Sequence, residues 1–366
     1  MNRPYRVLVV LAVGVLAGTL AACTSDAKPV EGHAGPAAVT VAPAAEFPAT
    51  VKTFYGDITI EKQPERVVAL GYGDADALLA LGITPVAMKG WQQFGNRGSG
   101  PWANEHLDST PELIPSQQMN ADDDESRLVA QLNPDLIIDT DLDRDPERYK
   151  SLTKIAPVIS APQGMGEFGS PDLEEQTMLV ARAMGVPRQG EELLDDLKTR
   201  AVSVAREHPE FDGKTISLAQ KLETSWFAQI SSIARMQFFL DLGFRVNPAL
   251  VDEANKTKLE DVTDMRLTPK NFTTLDADLI VVDATYSDNP DAVPRNGDGT
   301  VTRSGTKAVT KNQRFAALPA TRDGRSLVLP ADPDLPYWEA LDRPSLLSGN
   351  WLLDTLVPDI SRRLDR

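Results

Sequence analysis

The residues with the clearest chemical promise are aromatic and cationic side chains that follow apolar, strand-like runs. Tyr72 and Gly73 follow Arg66–Gly71, and Trp91, Phe94, Arg97 and Trp102 follow Ile83–Met88. Lys221, Trp226 and Phe227 follow the run that starts at Thr215, and Tyr286 follows Val282. Arg295, Arg303 and Lys307 lie in a glycine-rich stretch, with Tyr337 and Trp338 further on. Flat amphipathic rings beside a few cations suit a bulky, partly aromatic, anionic ligand. Placed in loops at the carboxyl ends of strands, they would stand where open α/β sheets bind ligands. Trp351, on the last long apolar segment, is expected in the core.

Catalytic constellations are missing, so the chain reads as a binding protein and not an enzyme. The three histidines, His33, His106 and His208, are too scattered to act together. There is no Gly-x-Ser-x-Gly elbow and no phosphate loop. A hydrolase would need a paired carboxylate or a nucleophile with a base in the cleft, and Asp74, Asp76 and Glu223 are the acids that leave that minor alternative open. Gly71-Tyr-Gly73 lacks the third glycine of a dinucleotide fingerprint and instead marks a helix start whose N–H groups face a cleft. The acidic run Asp122–Glu125 is a favourable helix start and lacks the glycine that a calcium loop needs. With 37 basic and 53 acidic residues the net charge is -16, which disfavours nucleic acid as a partner.

The elements that would position these residues repeat one plan. Short apolar runs at Arg66–Gly71, Ile83–Met88, Pro134–Asp139 and Pro157–Ser160 alternate with helical segments near Asp74–Leu81, Asp145–Ile155 and Pro171–Met184. That alternation predicts an α/β lobe with a parallel-type sheet covered on both faces. Val51–Tyr55 and Asp57–Ile60, broken at Gly56, predict a two-stranded ribbon in front of it. A periodic segment over 187–208 predicts one long helix of about six turns. The pattern restarts at Thr215–Ala219 and continues through Asp278–Asp283, Ser326–Leu329 and a helix from Pro344 to Leu356. Leu132-Asn-Pro-Asp-Leu-Ile-Ile and Leu275-Asp-Ala-Asp-Leu-Ile-Val mark corresponding strands of two lobes, 50–186 and 209–366.

Residues 1–22 carry Arg3 and Arg6, an apolar run from Val7 to Ala17, and Leu20-Ala21-Ala22 before Cys23. This is the layout of a lipoprotein signal peptide, with Cys23 the acylated residue and the membrane reached through a lipid anchor. Cys23 is the only cysteine, which excludes an internal disulfide. The Ala-, Pro- and Val-rich stretch 23–49 reads as a disordered tether to an extracytoplasmic, monomeric body.

Gln63-Pro-Glu-Arg-Val-Val-Ala-Leu70, Ala80-Leu-Gly-Ile-Thr-Pro-Val86, the Leu132 motif and Ala320–Val328 resemble the ferric-siderophore and vitamin B12 binding proteins of ABC importers. The resemblance spans residues 50 to 360. It implies two Rossmann-like lobes joined by one rigid helix, the class III solute-binding architecture, with little closure around the ligand. It implies a ferric siderophore as ligand, no cofactor, and an ABC importer permease as partner. The alternatives are haem as ligand, with Tyr72 or a methionine as its axial group, and a non-transport accessory envelope lipoprotein that uses the same cleft. The cleft residues it implies are Tyr72, Gly73, Trp91, Lys221 and Trp226, which the aromatic and cationic inventory extends to Arg97, Trp102, Tyr286, Arg303 and Trp338. Such proteins are also implied to dock through a glutamate on each lobe, eight residues before the Asp of the repeated motif. Here those positions are Arg127 and Lys270, and Glu125 is the nearest acid that could substitute.

Overall fold

The computed structural model describes residues 46–91, 94–115, 122–140, 145–165, 170–222, 225–231, 234–256, 263–284, 304–330 and 332–365. Cys23, Tyr286 and Arg303 lie outside them. The ribbon is an antiparallel pair, β1 (Ala49–Thr53) with β2 (Gly56–Ile60). Glu46–Pro48, assigned to the tether by composition, is packed: Glu46 N donates to Gly185 O at 2.8 Å and the Phe47 ring lies against Gly185.

The first lobe is a wholly parallel sheet of β3 (Val67–Ala69), β4 (Ala87–Lys89), β5 (Glu112–Ile114), β6 (Leu136–Asp139) and β7 (Val158–Ser160), in the order β5-β4-β3-β6-β7. Its two faces carry separate apolar clusters, so every residue of β3, β6 and β7 is buried. Strands buried on both faces read as continuous apolar runs, and hence were legible. The covering helices are α1 (Asp74–Ala80), α2 (Asp122–Gln131), α3 (Pro146–Leu152) and α4 (Leu173–Ala183). Asp145 caps α3, and Asp172 with Glu175 forms a capping box on α4.

One helix, α5 (Pro187–Glu207), about 30 Å long, leads to the second lobe. That lobe holds β8 (Thr215–Leu222), β9 (Ser225–Gln229), β10 (Arg245–Val246), β11 (Asp264–Leu267), β12 (Leu279–Asp283) and β13 (Ser326–Leu329). Its order is β11-β9-β8-β12-β13, with β10 alongside β8. β8, β12 and β13 run parallel, whereas β9 and β11 are antiparallel additions, so this sheet is mixed. The hairpin between β8 and β9 turns the expected loop around Trp226 into strand. Helices α6 (Ala234–Asp241), α7 (Pro248–Lys256), α8 (Ser304–Thr310), α9 (Gln313–Ala317), α10 (Pro319–Arg322), α11 (Tyr337–Asp342), α12 (Leu346–Thr355) and α13 (Val357–Leu364) complete it.

The lobes share apolar contacts. Tyr72, Leu79, Phe94 and Trp102 of the first join Trp338, Leu341, Leu347 and Leu352 of the second in one buried cluster. α12 packs on both α1 and α5. At Gly349 an added Cβ would come 3.0 Å from Leu197 Cδ2, so α5 and α12 cross closely there.

Candidate functional site

The turn after β3 is fixed by buried carboxylates. Gly73 caps α1 at φ 84°, and a Cβ there would meet the Gln176 amide at 2.7 Å. Gln176 Nε2 donates to the carbonyl of Tyr72 at 2.8 Å and to Asp74 at 3.0 Å. Asp74 also accepts from Gly71 N, Thr140 N and the Thr140 hydroxyl. Burial raises its carboxyl to about 6, against the lowering effect of those bonds. Asp76, two residues further along α1, accepts from the Ser99 hydroxyl, from Trp102 Nε1 at 2.7 Å and from Ser345 Oγ at 2.7 Å. Tyr72 is thereby presented on a braced turn between the lobes.

Around Tyr72 the rings form a continuous chain. Trp91 stands edge-on at 5.1 Å, Phe94 is at 5.5 Å, and Trp102 follows Phe94 at 5.4 Å. The Arg343 guanidinium of the second lobe lies over the Tyr72 ring at 5.1 Å, and Arg235 lies over Trp338 at 4.8 Å. Arg97 Nη2 donates to Pro333 O at 2.6 Å and pairs with Asp334 at 3.1 Å, a second link across the lobes. The Arg235 guanidinium is mostly buried and pairs with Asp342 at 3.0 Å, whereas the exposed Arg343, stacked on Tyr72, is placed to meet a flat anionic ligand.

Acids modulate this cationic wall. Burial first, then Asp283 and Asp342, push the Glu339 carboxyl up to about 8, so it is largely neutral at pH 7. Burial, with Glu339 and Asp76, also holds the Tyr72 phenol well above its ordinary range. Lys221, half-buried at the end of β8, has its ammonium lowered by desolvation.

These contacts sort the expected site residues. Tyr72, Gly73, Trp91 and Arg97 come together at the lobe junction. Trp338 lies on α11 beneath Arg235, and Lys221 is on β8. Trp102 is buried with its indole hydrogen-bonded to Asp76, and Trp226 lies in β9, stacked on Phe315 at 5.5 Å inside the second lobe. Arg127 and Lys270 are exposed on α2 and in the turn after β11. Glu125, by contrast, is buried against Lys89 Nζ at 2.9 Å and Arg148 Nε at 2.6 Å. Arg148 also pairs with Asp139, so the quartet is charge-balanced and turned inward. Sequence reading missed Arg235, Glu339 and Arg343. The one available signal was the Asp342-Arg343-Pro344 break between two helices.

Beside the junction lies a cavity of about 630 Å³. It is lined by α5, by the start of α4, by α6, and by Tyr72 and Arg343.

The architecture is that of a two-lobe solute-binding protein. The chain belongs to the periplasmic binding protein family, whose profile matches residues 67–333; it is a binding protein, not an enzyme. It is 23% identical over 358 residues, 97% of this chain and 98% of the relative, to "Putative ABC transporter substrate-binding lipoprotein YhfQ" of Bacillus subtilis. It is 29% identical over 180 residues to the Fe(3+) dicitrate-binding periplasmic protein FecB of Escherichia coli, covering 44% of this chain and 51% of that one. In fold it resembles a periplasmic solute binding protein of Mycobacterium smegmatis, with TM-score 0.66, 24% identity, and coverage of 86% of this chain and 98% of that chain. It also resembles Streptococcus pneumoniae PiaA in complex with ferrichrome, with TM-score 0.63, 21% identity, and coverage of 87% and 99%.

Proposed function

We propose that this protein is an extracytoplasmic receptor, held to the membrane by acylation at Cys23, that captures a ferric siderophore and hands it to an ABC importer permease as a monomer. The observation that carries the reading is Tyr72, set between Trp91, Phe94 and the Arg343 guanidinium where the lobes meet. The half-buried Trp91 ring and the exposed Arg343 guanidinium, backed by the buried Tyr72 and Phe94 rings, offer stacking area and positive charge to a rigid, anionic metal chelate. FecB and PiaA, named above for ferric dicitrate and ferrichrome, support the iron-chelate class. YhfQ supports the lipoprotein form, and two acyl chains are enough for stable anchoring.

Haem fits less well. An axial phenolate at Tyr72 is opposed by burial and the neighbouring carboxylates, which hold the phenol protonated. The test is intrinsic tryptophan quenching with ferric hydroxamates, catecholates, citrates and haem. A ferric chelate should bind with sub-micromolar affinity, about -8 kcal/mol or better. Binding of a different nutrient with none of the iron chelates retires the iron assignment, and a Soret band with tight haem binding moves it to haem.

A further inference from the structure

We infer that the cavity floored by α5 receives an aliphatic arm of the ligand, so that the receptor takes iron chelates carrying an acyl or alkyl chain. This inference rests on the proposed iron-chelate function and specifies its substrate class.

The helix α5 has two adjacent apolar stripes. Leu193, Leu197, Ala201 and Val204 pack into the cores of the two lobes. Leu194, Leu197, Ala201 and Val202, at helical spacing, line the cavity. Val202 is 45% exposed, an unusual position for a large apolar side chain on a helix that also contributes to a core. Phe238 of α6, Tyr72 and Arg343 line the same cavity.

The shape and chemistry of the walls select the occupant. The volume falls within the range of small-molecule sites, whereas a folded partner needs on the order of 800 Å² of surface from each side. The walls are mostly helices whose backbone groups are bonded within the helix, so an extended peptide would find few partners for its own N–H and C=O groups. A chain of methylenes has no such requirement. From Leu194 to Val202 the floor runs about 12 Å, the reach of a medium-chain acyl group. Because Tyr72 and Arg343 also belong to the lobe junction, a chelate stacked there could lead its arm directly onto this floor.

The test uses two series of ferric chelates, one hydroxamate and one citrate-based, each bearing an acetyl, hexanoyl or decanoyl amide away from the iron-binding oxygens. Below the micellar range, affinity should rise by up to about fourfold per methylene, giving at least tenfold between acetyl and hexanoyl. The double variant Leu194→Glu, Val202→Glu alters exposed or half-buried helix positions and should retain its thermal transition. It should keep the affinity for the acetyl derivative and lose the gain with chain length. Equal affinities for acetyl and decanoyl derivatives in the native protein overturn the inference and leave the iron-chelate function standing. So does a gain that persists in the double variant. Free decanoate binding as tightly as its chelate conjugate would make the cavity an independent fatty-acid site and overturn the linkage. Failure of every chelate in both series removes the function on which the inference rests.

Discussion

Ser345 Oγ donates a 2.7 Å hydrogen bond to Asp76 Oδ2, joining the second lobe to the first across 269 positions of sequence. The same hydroxyl accepts from Ser348 N at 2.9 Å and caps α12. One carboxylate therefore gathers Ser99, Trp102 and Ser345, and the lobes meet around a satisfied polar centre inside an apolar cluster. A contact of this kind resists large closure.

Asp76→Ala should leave three buried donors without their acceptor. At about 1–3 kcal/mol for each orphaned group, the loss in urea unfolding should be at least about 3 kcal/mol. Ser345→Ala removes one donor and the helix cap, and about 1–2 kcal/mol is expected. If both variants unfold at the native midpoint, the centre contributes nothing to stability.

Trp91→Ala should weaken chelate binding by about 1–3 kcal/mol with little change in stability, since this ring is only half-buried. Trp226→Ala should do the opposite: binding is nearly retained, while removing a ring packed between Phe272 and Phe315 costs about 3–5 kcal/mol. Trp226→Phe should be mild, because the indole Nε1 has no partner among the described residues. Titration and thermal unfolding of the three proteins separate the roles, and a binding loss confined to Trp226→Ala would reverse them.

The contrast between these tryptophans shows what the sequence made legible. β3, β6, β7 and β12 are buried on both faces, so their continuous apolar runs announce them. Alternation along Val51–Ile60 likewise announces the ribbon. β9, however, reads Ser-Trp-Phe-Ala-Gln, and its strand state comes from pairing with β8 and β11, which local pattern does not encode. Glu125 looked like a surface acid because its partners, Lys89 and Arg148, lie 36 and 23 positions away. Arg343 was missed for a similar reason, since only the tertiary fold brings it over Tyr72.

Chelate affinity should also depend on Glu339. Its folded carboxyl titrates near 8, above an ordinary value of 4.5, chiefly through burial and then through Asp283. The folded state consequently binds more protons between those values. Stability from this group is full below the lower value, falls as pH rises through the window, and is lost once pH exceeds the upper one. Ionised Glu339, which acts on Tyr72, would also repel an anionic chelate. Affinity should therefore decline between about pH 7 and pH 9, and Glu339→Gln should flatten that decline while raising stability at the alkaline end. Parallel pH profiles for the two proteins would place the titrating group elsewhere.

Arg127 and Lys270 occupy the positions where the family resemblance implies glutamates, and both are exposed. Glu125 is turned inward against Lys89 and Arg148, so its own carboxylate does not compensate for Arg127. A permease that presents arginines at these points would be repelled at both, and like-charge contacts can cost several kcal/mol. The native partner should therefore present acids there. Replacing Arg127→Glu and Lys270→Glu together should weaken docking to the native permease at least tenfold and abolish chelate uptake, while chelate affinity in solution stays unchanged because both residues lie outside the lobe junction. The single variants should each show part of the loss, and raising salt should shrink the difference between native and double-variant docking, as expected for exposed charges. Undiminished docking and uptake by the double variant would place the interface on another part of the surface.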